Sequence, residues 1–258
     1  MKQLFFNLIF QLVLTSIVFA QGTAGEAAKF EYRSLIDMPS AGVLEKGFVG
    51  VSTDVMPAGV VISKIEVGVF DQISFGISYG GSNIIGSGKP DWYKLPAVNL
   101  RFRLFDESTT FPAISAGFDS QGKGEFFDST NRYAIKSPGF YAAVSKNFDF
   151  LGFLSLHGTA NYSLESKDGD NFVNIMLGFE KTIGKSVSLL FEYDFALNDN
   201  NINNYYGEGN GYLNVGLRWS LADGFTLGLD LRDLLQNRKW SPGSADRAIK
   251  IEYIKSIF

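Results

Sequence analysis

Apolar and polar residues alternate along most of this chain, and residues 211–232 show the pattern most clearly. On the first arm the apolar positions are Leu213, Val215, Leu217 and Trp219. The positions between them are Asn214, Gly216, Arg218 and Ser220. After a turn at 221–224, the second arm at 225–232 repeats the alternation. Period two gives a strand one apolar face and one polar face. Because the polar face carries Arg and Asp beside glycines, the pattern predicts a hairpin with lipid outside and a polar barrel interior.

The same alternation recurs from residue 48 onward and predicts about twelve strands, each near the roughly 9–11 residues that cross a membrane when tilted. The predicted strands are residues 48–56, 60–69, 73–79, 97–104, 111–118, 140–148, 153–164, 172–182, 187–195, 213–220, 225–232 and 249–258. We therefore expect an all-β fold, a transmembrane antiparallel up-and-down β-barrel. A soluble protein of two stacked sheets is the alternative that the alternation leaves open.

Short and long connections alternate between the predicted strands. The short ones begin near Phe70, Asp106, Asp149, Ile183 and Ala222. The longer, polar ones begin near Gly80, Asp119, Ser166, Asn198 and Asp233. Short turns on one rim and long loops on the other are typical of an outer-membrane barrel, and an even strand number puts both ends of the barrel on the short-turn, periplasmic side. Only the short turn at 57–59 departs from this rule.

The N-terminus has the pattern of a targeting signal. Lys2 precedes an apolar run at 4–19, and 18–20 resembles a cleavage site with small residues. We predict a signal peptide at 1–20, with a single transmembrane anchor as the alternative. Residues 21–47 are then a periplasmic N-terminal lead-in and 48–258 the barrel. Pro39 and Gly42 forbid a regular helix in the lead-in. We expect it to lead into the first strand, and the alternative is that it caps or plugs the periplasmic mouth.

Composition narrows the function. The 258 residues include no Cys and one His, with a net charge of −4, 15% aromatic residues and 19% charged residues. The absence of Cys excludes disulfides and thiol chemistry. Lys and Arg are scattered, so there is no basic stripe and we expect no nucleic-acid partner. Export and barrel formation instead imply outer-membrane lipid and the barrel-assembly machinery as partners, and the bacterial outer membrane as the location.

The predicted register points a set of charged side chains into the barrel. They are Lys64, Glu66, Arg101, Arg103, Glu180, Glu192, Asp194, Arg218, Asp230, Arg232, Lys250 and Glu252. Acids and bases are nearly balanced, and charges in a partly desolvated lumen must pair because an unpaired buried ion is costly. These residues therefore form a structural network or a constriction that selects a polar or anionic solute. A barrel of about twelve strands lies between side-chain-filled barrels and open porins.

The only histidine, His157, shares the inward face of the seventh predicted strand with Ser155 and Thr159. A Ser and a His two positions apart raise the possibility of a membrane-embedded hydrolase of the phospholipase type. Such chemistry needs a group that orients the imidazole, and Asn161 is the only nearby one. Because lipid cleavage would also need an outward-facing site, we predict that the protein is not an enzyme and has no catalytic residue.

Two oxygen-rich stretches, 168–171 and 198–201, lack the spacing of a Ca²⁺ loop and are predicted to be solvated turns. Residues 86–89 lack the spacing of a phosphate loop. We expect no metal and no cofactor. Aromatic residues near strand ends suggest an interfacial girdle or, at the outer mouth, glycan stacking. They are Trp92, Tyr93, Tyr205, Tyr206, Trp219 and Trp240. The terminal Phe258 resembles the signal that barrel-assembly machinery reads.

Four stretches resemble the YjbH-like outer-membrane proteins associated with exopolysaccharide production. They are residues 34–41 (SLIDMPSA), 101–107 (RFRLFDE), 111–119 (FPAISAGFD) and 144–146 (VSK), of which the first is the most specific. The resemblance implies an outer-membrane β-barrel linked to polysaccharide production or export, with no established catalytic residues. We therefore expect an accessory barrel for cell-surface polysaccharide. The alternative is a narrow outer-membrane channel for small polar or anionic solutes.

Overall fold

The computed structural model describes residues 21–200, 206–239 and 245–257. Several sequence-based expectations lie outside the described residues. These are the signal peptide at 1–20, the girdle residues Tyr205 and Trp240, and the proposed assembly signal Phe258.

The described residues form fifteen strands. In chain order they are β1 (Phe48–Met56), β2 (Val60–Phe70), β3 (Ile73–Ser82), β4 (Asp91–Trp92), β5 (Ala97–Phe105), β6 (Ala113–Asp119), β7 (Lys123–Phe127), β8 (Arg132–Ile135), β9 (Gly139–Asp149), β10 (Phe153–Tyr162), β11 (Asn174–Thr182), β12 (Val187–Asp194), β13 (Tyr212–Ala222), β14 (Phe225–Arg232) and β15 (Asp246–Ser256). In this part of the chain no helix is long and apolar enough to cross a membrane.

Twelve of these strands close into one antiparallel barrel. Each barrel strand pairs with its neighbours along the chain, and β15 pairs with β1 from Phe48↔Ser256 to Val55↔Ile249. The predicted fold class and strand number are therefore confirmed. Two features were not predicted: the short β4 that pairs with β3, and a hairpin of β7 and β8 within the outer loop at 120–138. Closure matters because a lipid-embedded sheet has no water to satisfy a free edge.

The apolar face of every pairing lies outside. On β14 and β15, Leu229 and Ile249 expose 49% and 44% of their surface, whereas their neighbours Asp230 and Glu252 are buried inside. A sandwich of two stacked sheets would bury the apolar rows instead, so that alternative is wrong. The connections at 71–72, 106–112, 150–152, 183–186 and 223–224 share the rim on which β1 begins and β15 ends. The chain is thus a barrel of the outer-membrane type.

The structure places residues 21–47, which we call the plug, largely inside the barrel. Of its residues, Leu35 and Met38 are fully buried, and a bridge between Ser34 and Pro39 closes a tight turn, the plug tip. Our expectation of a periplasmic lead-in was therefore wrong, and the alternative of a plug describes the structure. The physical reason is that a twelve-stranded barrel has a polar interior too wide for its own side chains to fill.

The lipid-facing assignment predicts the cost of a charge on the outer wall. Replacing Leu229, in the middle of β14, with Arg should lower the free energy of unfolding by about 2–4 kcal/mol, as for other lipid-facing positions near the bilayer centre. The measurement is urea unfolding of the barrel refolded in phosphatidylcholine vesicles. Leu151→Arg, in a periplasmic turn where Leu151 is 86% exposed, is the control and should change stability little. Equal losses in both variants would contradict the assignment.

Candidate functional site

The structure directs all twelve charged residues predicted to line the lumen into the barrel. Nine of them are buried, and Lys64, Arg103 and Lys250 are partly exposed as whole residues. The sequence did not show what they contact. Many of them bind the plug rather than one another, so the lumen is a socket for residues 21–47.

Glu192 on β12 binds the plug tip through its carboxylate. The backbone N–H groups of Ile36, Asp37 and Met38 each donate to Oε2 at 2.9 Å. Asn214 on β13 donates to the other oxygen, also at 2.9 Å. Successive N–H groups in a tight turn form a concave anion-binding nest, and here the bound anion is a side chain of the barrel wall. The one carboxylate therefore fixes the position and the conformation of the tip.

Two arginines hold the same tip from the neighbouring strands. Arg232 on β14 forms an ion pair with Asp37. Arg218 on β13 donates to the carbonyl oxygen of Leu35 at 3.1 Å while it pairs with Asp230 at 2.5 Å. The tip thus receives donors at its carbonyl and carboxylate oxygens and a carboxylate at its N–H groups. These polar groups of the tip therefore have hydrogen-bond partners, as the backbone groups of a helix or a strand do.

A small apolar contact accompanies these polar bonds. Leu35 and Met38 of the tip pack with Met176 on β11 and Leu190 on β12, and all four are buried. Met176 and Leu190 interrupt the polar inner face at the place where the tip rests. The wall is therefore complementary to the tip in shape and chemistry.

The segments on either side of the plug tip, which we call its arms, are bound to strands around the lumen. Arg33 forms ion pairs with Glu66 on β2, at 3.3 Å, and with Glu252 on β15. Two strands along from β2, Arg103 on β5 donates to the carbonyl oxygen of Ala41 at 2.9 Å. Gly68 on β2 faces the returning arm so closely that a Cβ there would lie 1.8 Å from the carbonyl oxygen of Glu45. Only a glycine permits this approach.

At the periplasmic rim the start of the plug runs along the short turns. Glu26 and Ala27 donate backbone N–H groups to the carbonyl oxygens of Gly184 and Lys185 at 3.1 and 3.0 Å. The end of the plug returns to the same rim, where the N–H group of Gly47 donates to the carbonyl oxygen of Gly68 at 3.0 Å. The plug is therefore a loop that enters and leaves through one mouth.

His157 belongs to this plug contact rather than to the predicted pair with Ser155. Its Nδ1 lies 2.8 Å from the hydroxyl of Ser145 on β9, which in turn accepts the N–H group of Ala41 at 3.0 Å. Ser155 instead donates to Asn147, and Asn161 donates to the carbonyl oxygen of Pro138. The Ser155–His157 arrangement of the hydrolase alternative is therefore not formed. Within the described residues, no cluster of His, Cys, Asp or Glu is arranged to hold a metal ion.

A second buried ionic cluster lies in the long loops above the outer mouth. Arg132 on β8 is fully buried, pairs with Asp168 and Asp199 at 2.6 and 2.7 Å, and lies 3.9 Å from the ring centroid of Tyr206. The prediction that 168–171 and 198–201 are solvated turns is therefore wrong for these two carboxylates. Burial alone would raise the pKa of Asp168, but hydrogen bonds and charge from Lys136 and Arg132 outweigh it and hold the pKa below its ordinary value.

The aromatic girdle is confirmed only in part. Trp92 and Trp219 expose 54% and 47% of their surface, and Trp92 stacks on Tyr79 with the ring centroids 5.8 Å apart. Tyr93 and Tyr206 are buried instead. Tyr93 donates its hydroxyl to the carbonyl oxygen of Gly124 at 2.6 Å, which ties the β7–β8 hairpin to the loop below it. These two rings stabilise the outer loops and do not face lipid headgroups.

The nest around Glu192 predicts the effect of removing its charge. Glu192→Gln replaces one of two acceptor oxygens with an NH2 donor, which must face the N–H groups of the tip or the NH2 group of Asn214. We therefore expect a loss of about 1–3 kcal/mol in the free energy of unfolding, the usual range for a charged hydrogen-bonded group. The measurement is urea unfolding in detergent micelles. Glu45→Gln, at an exposed position of the same segment, is the control and should stay within about 0.5 kcal/mol. Equal effects of the two changes would contradict the role of Glu192.

No known family model and no curated protein matches this chain. Solved structures do resemble it in fold. The KdgM porin matches with a TM-score of 0.48 and 8% identity over 80% of this chain and 98% of that chain. Omp33 of Acinetobacter baumannii matches with a TM-score of 0.46 and 8% identity over 83% of this chain and 99% of that one. The outer-membrane phospholipase of Salmonella typhi gives a TM-score of 0.37 and 12% identity over 83% and 91%. All three similarities are to barrels at very low identity.

Proposed function

We propose that this protein is a non-catalytic outer-membrane channel for small polar or anionic solutes, and that its plug keeps it closed until the plug leaves the lumen. The inner wall is polar or charged on strand after strand, as a water-filled passage requires. Representative buried wall residues are Ser74, Ser78, Asn99, Arg101, Ser115, Thr159, Asn174, Ser188 and Asn214.

The observation that carries the proposal is the path of the plug. Both of its ends lie at the periplasmic rim, near Gly224 and Gly68, so the loop can withdraw through one mouth without threading and without breaking a barrel pairing. Most of its bonds to the wall are hydrogen bonds and ion pairs, which water can replace. The plug lies in the lumen, and its withdrawal would expose a charged passage.

A disulfide tether tests this proposal directly, because the natural chain has no Cys. The Ala41 N–H group lies 3.0 Å from the Ser145 hydroxyl, so Ala41→Cys combined with Ser145→Cys should bridge the plug to β9. In planar-bilayer recordings we expect the oxidised protein to be silent and the reduced protein to show openings. The two single-cysteine variants are the controls.

Glu192→Gln supplies the complementary measurement in the same recordings. If the variant weakens the binding of the plug to the barrel wall by about 1.4 kcal/mol, we expect openings to be tenfold more frequent. Openings that persist at the same frequency in the tethered protein would contradict gating by the plug. A protein that stays silent when reduced and when it carries Glu192→Gln would contradict the channel itself.

A second candidate function is an accessory role in producing or exporting cell-surface polysaccharide. It is supported by the resemblance to YjbH-like proteins, whose most specific stretch here, residues 34–41, is the stretch that forms the plug tip. The contacts of this stretch with the barrel wall depend on its sequence, whichever function the barrel serves.

Deleting the gene tests this second candidate. We expect less surface glycan in the deletion strain, restored by the wild-type gene but not by a gene with Asp37→Asn, which removes the ion pair of the tip with Arg232. The measurement is the amount of extractable surface polysaccharide per cell. Unchanged glycan in the deletion strain would count against the accessory role.

A further inference from the structure

An internal cavity lies between the plug and the wall formed by β1, β2, β5 and β15. Its volume is about 60 Å³, room for roughly four to six water-sized positions. Six cationic side chains line it, namely Arg33, Lys64, Arg101, Lys123, Arg218 and Lys250, together with five carboxylates. The cavity is therefore small and polar, with one more cation than acids in its lining.

The carboxylates of this lining already have cationic partners. Asp119 pairs with Lys64 at 2.7 Å, and Asp54 pairs with Lys123. Arg33 serves both Glu66 and Glu252 through its other two nitrogens, with Glu66 at 3.3 Å. The fifth carboxylate, Asp37, is held by Arg232 from outside the cavity. Arg218 is likewise paired with Asp230 outside the cavity, so the remaining five cations and four acids of the lining leave one positive charge over.

Unused hydrogen-bond donors are found on three side chains that line the cavity. Nη1 of Arg33 and Nε of Arg101 are buried and have no hydrogen-bond partner within the described chain, although Nε of Arg101 lies 3.6 Å from a carboxylate oxygen of Glu66. Lys250 lies 3.9 Å from Asp54, beyond hydrogen-bond distance. A buried donor without an acceptor is unfavourable, and with one positive charge in excess these donors favour an acceptor that carries negative charge.

The acids that balance these cations overall lie on the other side of the plug. Glu180, Glu192 and Asp194 are on β11 and β12, where they accept hydrogen bonds from Ser188, from the plug tip and from Asn174 rather than from cations. Charge is thus unevenly distributed across the lumen, with a small excess of bases at the cavity and acids bonded to neutral donors at the opposite wall. The acids cannot neutralise Lys250, because the plug separates them from it.

From the cavity, its unpaired donors and this uneven distribution of charge, we propose that the closed barrel binds one small inorganic anion between Lys250, Arg33 and Arg101. A planar guanidinium matches the oxygen atoms of an oxyanion such as phosphate. The volume excludes a sugar. Such an anion would join the plug to the wall of the barrel, since Arg33 belongs to the plug and the other two residues to β5 and β15.

The test measures anion binding by the full-length barrel in detergent. Inorganic phosphate is titrated at constant ionic strength, and the midpoint of thermal unfolding gives its Kd. We expect stabilisation by phosphate, with a Kd about 30-fold or more weaker in Lys250→Met because a partner in a buried charge contact is lost. Lys46→Met, at an exposed position near the periplasmic rim, is the matched control and should bind as the wild type does.

Wild-type crystals soaked in sodium bromide give a second readout that needs no variant. We expect an anomalous peak between Lys250 and Arg33. No stabilisation by phosphate, equal binding by Lys250→Met and wild type, or a cavity without a bromide peak would each overturn the proposal. Anion binding to the closed barrel does not depend on whether the plug ever leaves, so this proposal and the channel proposal fail separately.

Discussion

The requirement that every polar group inside a lipid-embedded wall find a partner shapes this molecule. With the apolar rows turned to lipid, as on β14 and β15, the inner face must be polar, and twelve strands enclose more space than their side chains fill. An irregular segment can enter only if its backbone groups are bonded. The carboxylate of Glu192, which accepts the N–H groups of Ile36, Asp37 and Met38, meets that requirement at the deepest point of the plug.

The same requirement explains how charge is arranged in the lumen. Arg33 from the plug joins Glu66 and Glu252 on the wall, and Asp37 from the plug joins Arg232. Wall and plug are therefore electrostatically complementary, and neither is complete without the other. Removing one partner of such a buried contact costs more than the pair contributes, because the other charge stays buried. A plug held in this way is stable when seated, yet its contacts are of a kind that water can replace.

The sequence predicted the barrel well because alternation is a local property: Leu213 to Trp219 show which face is apolar without any knowledge of neighbouring strands. It also identified inward charges such as Arg218. It could not predict their partners, since Arg33 meets Glu252 and Arg132 meets Asp199 only through the register of strands far apart in the chain. The plug has no periodicity, so its place in the lumen follows from contacts that appear only once the barrel is closed.

Hydrogen exchange at the plug tip tests the account most directly. The amide groups of Ile36, Asp37 and Met38 lie in an irregular segment that would exchange within seconds if it hung outside the mouth. Bonded to Glu192 in the lumen, they should exchange as slowly as the amides of β13 in the folded barrel in detergent. Exchange of these three amides as fast as that of the exposed turn at Leu151 would contradict the presence of the plug in the lumen.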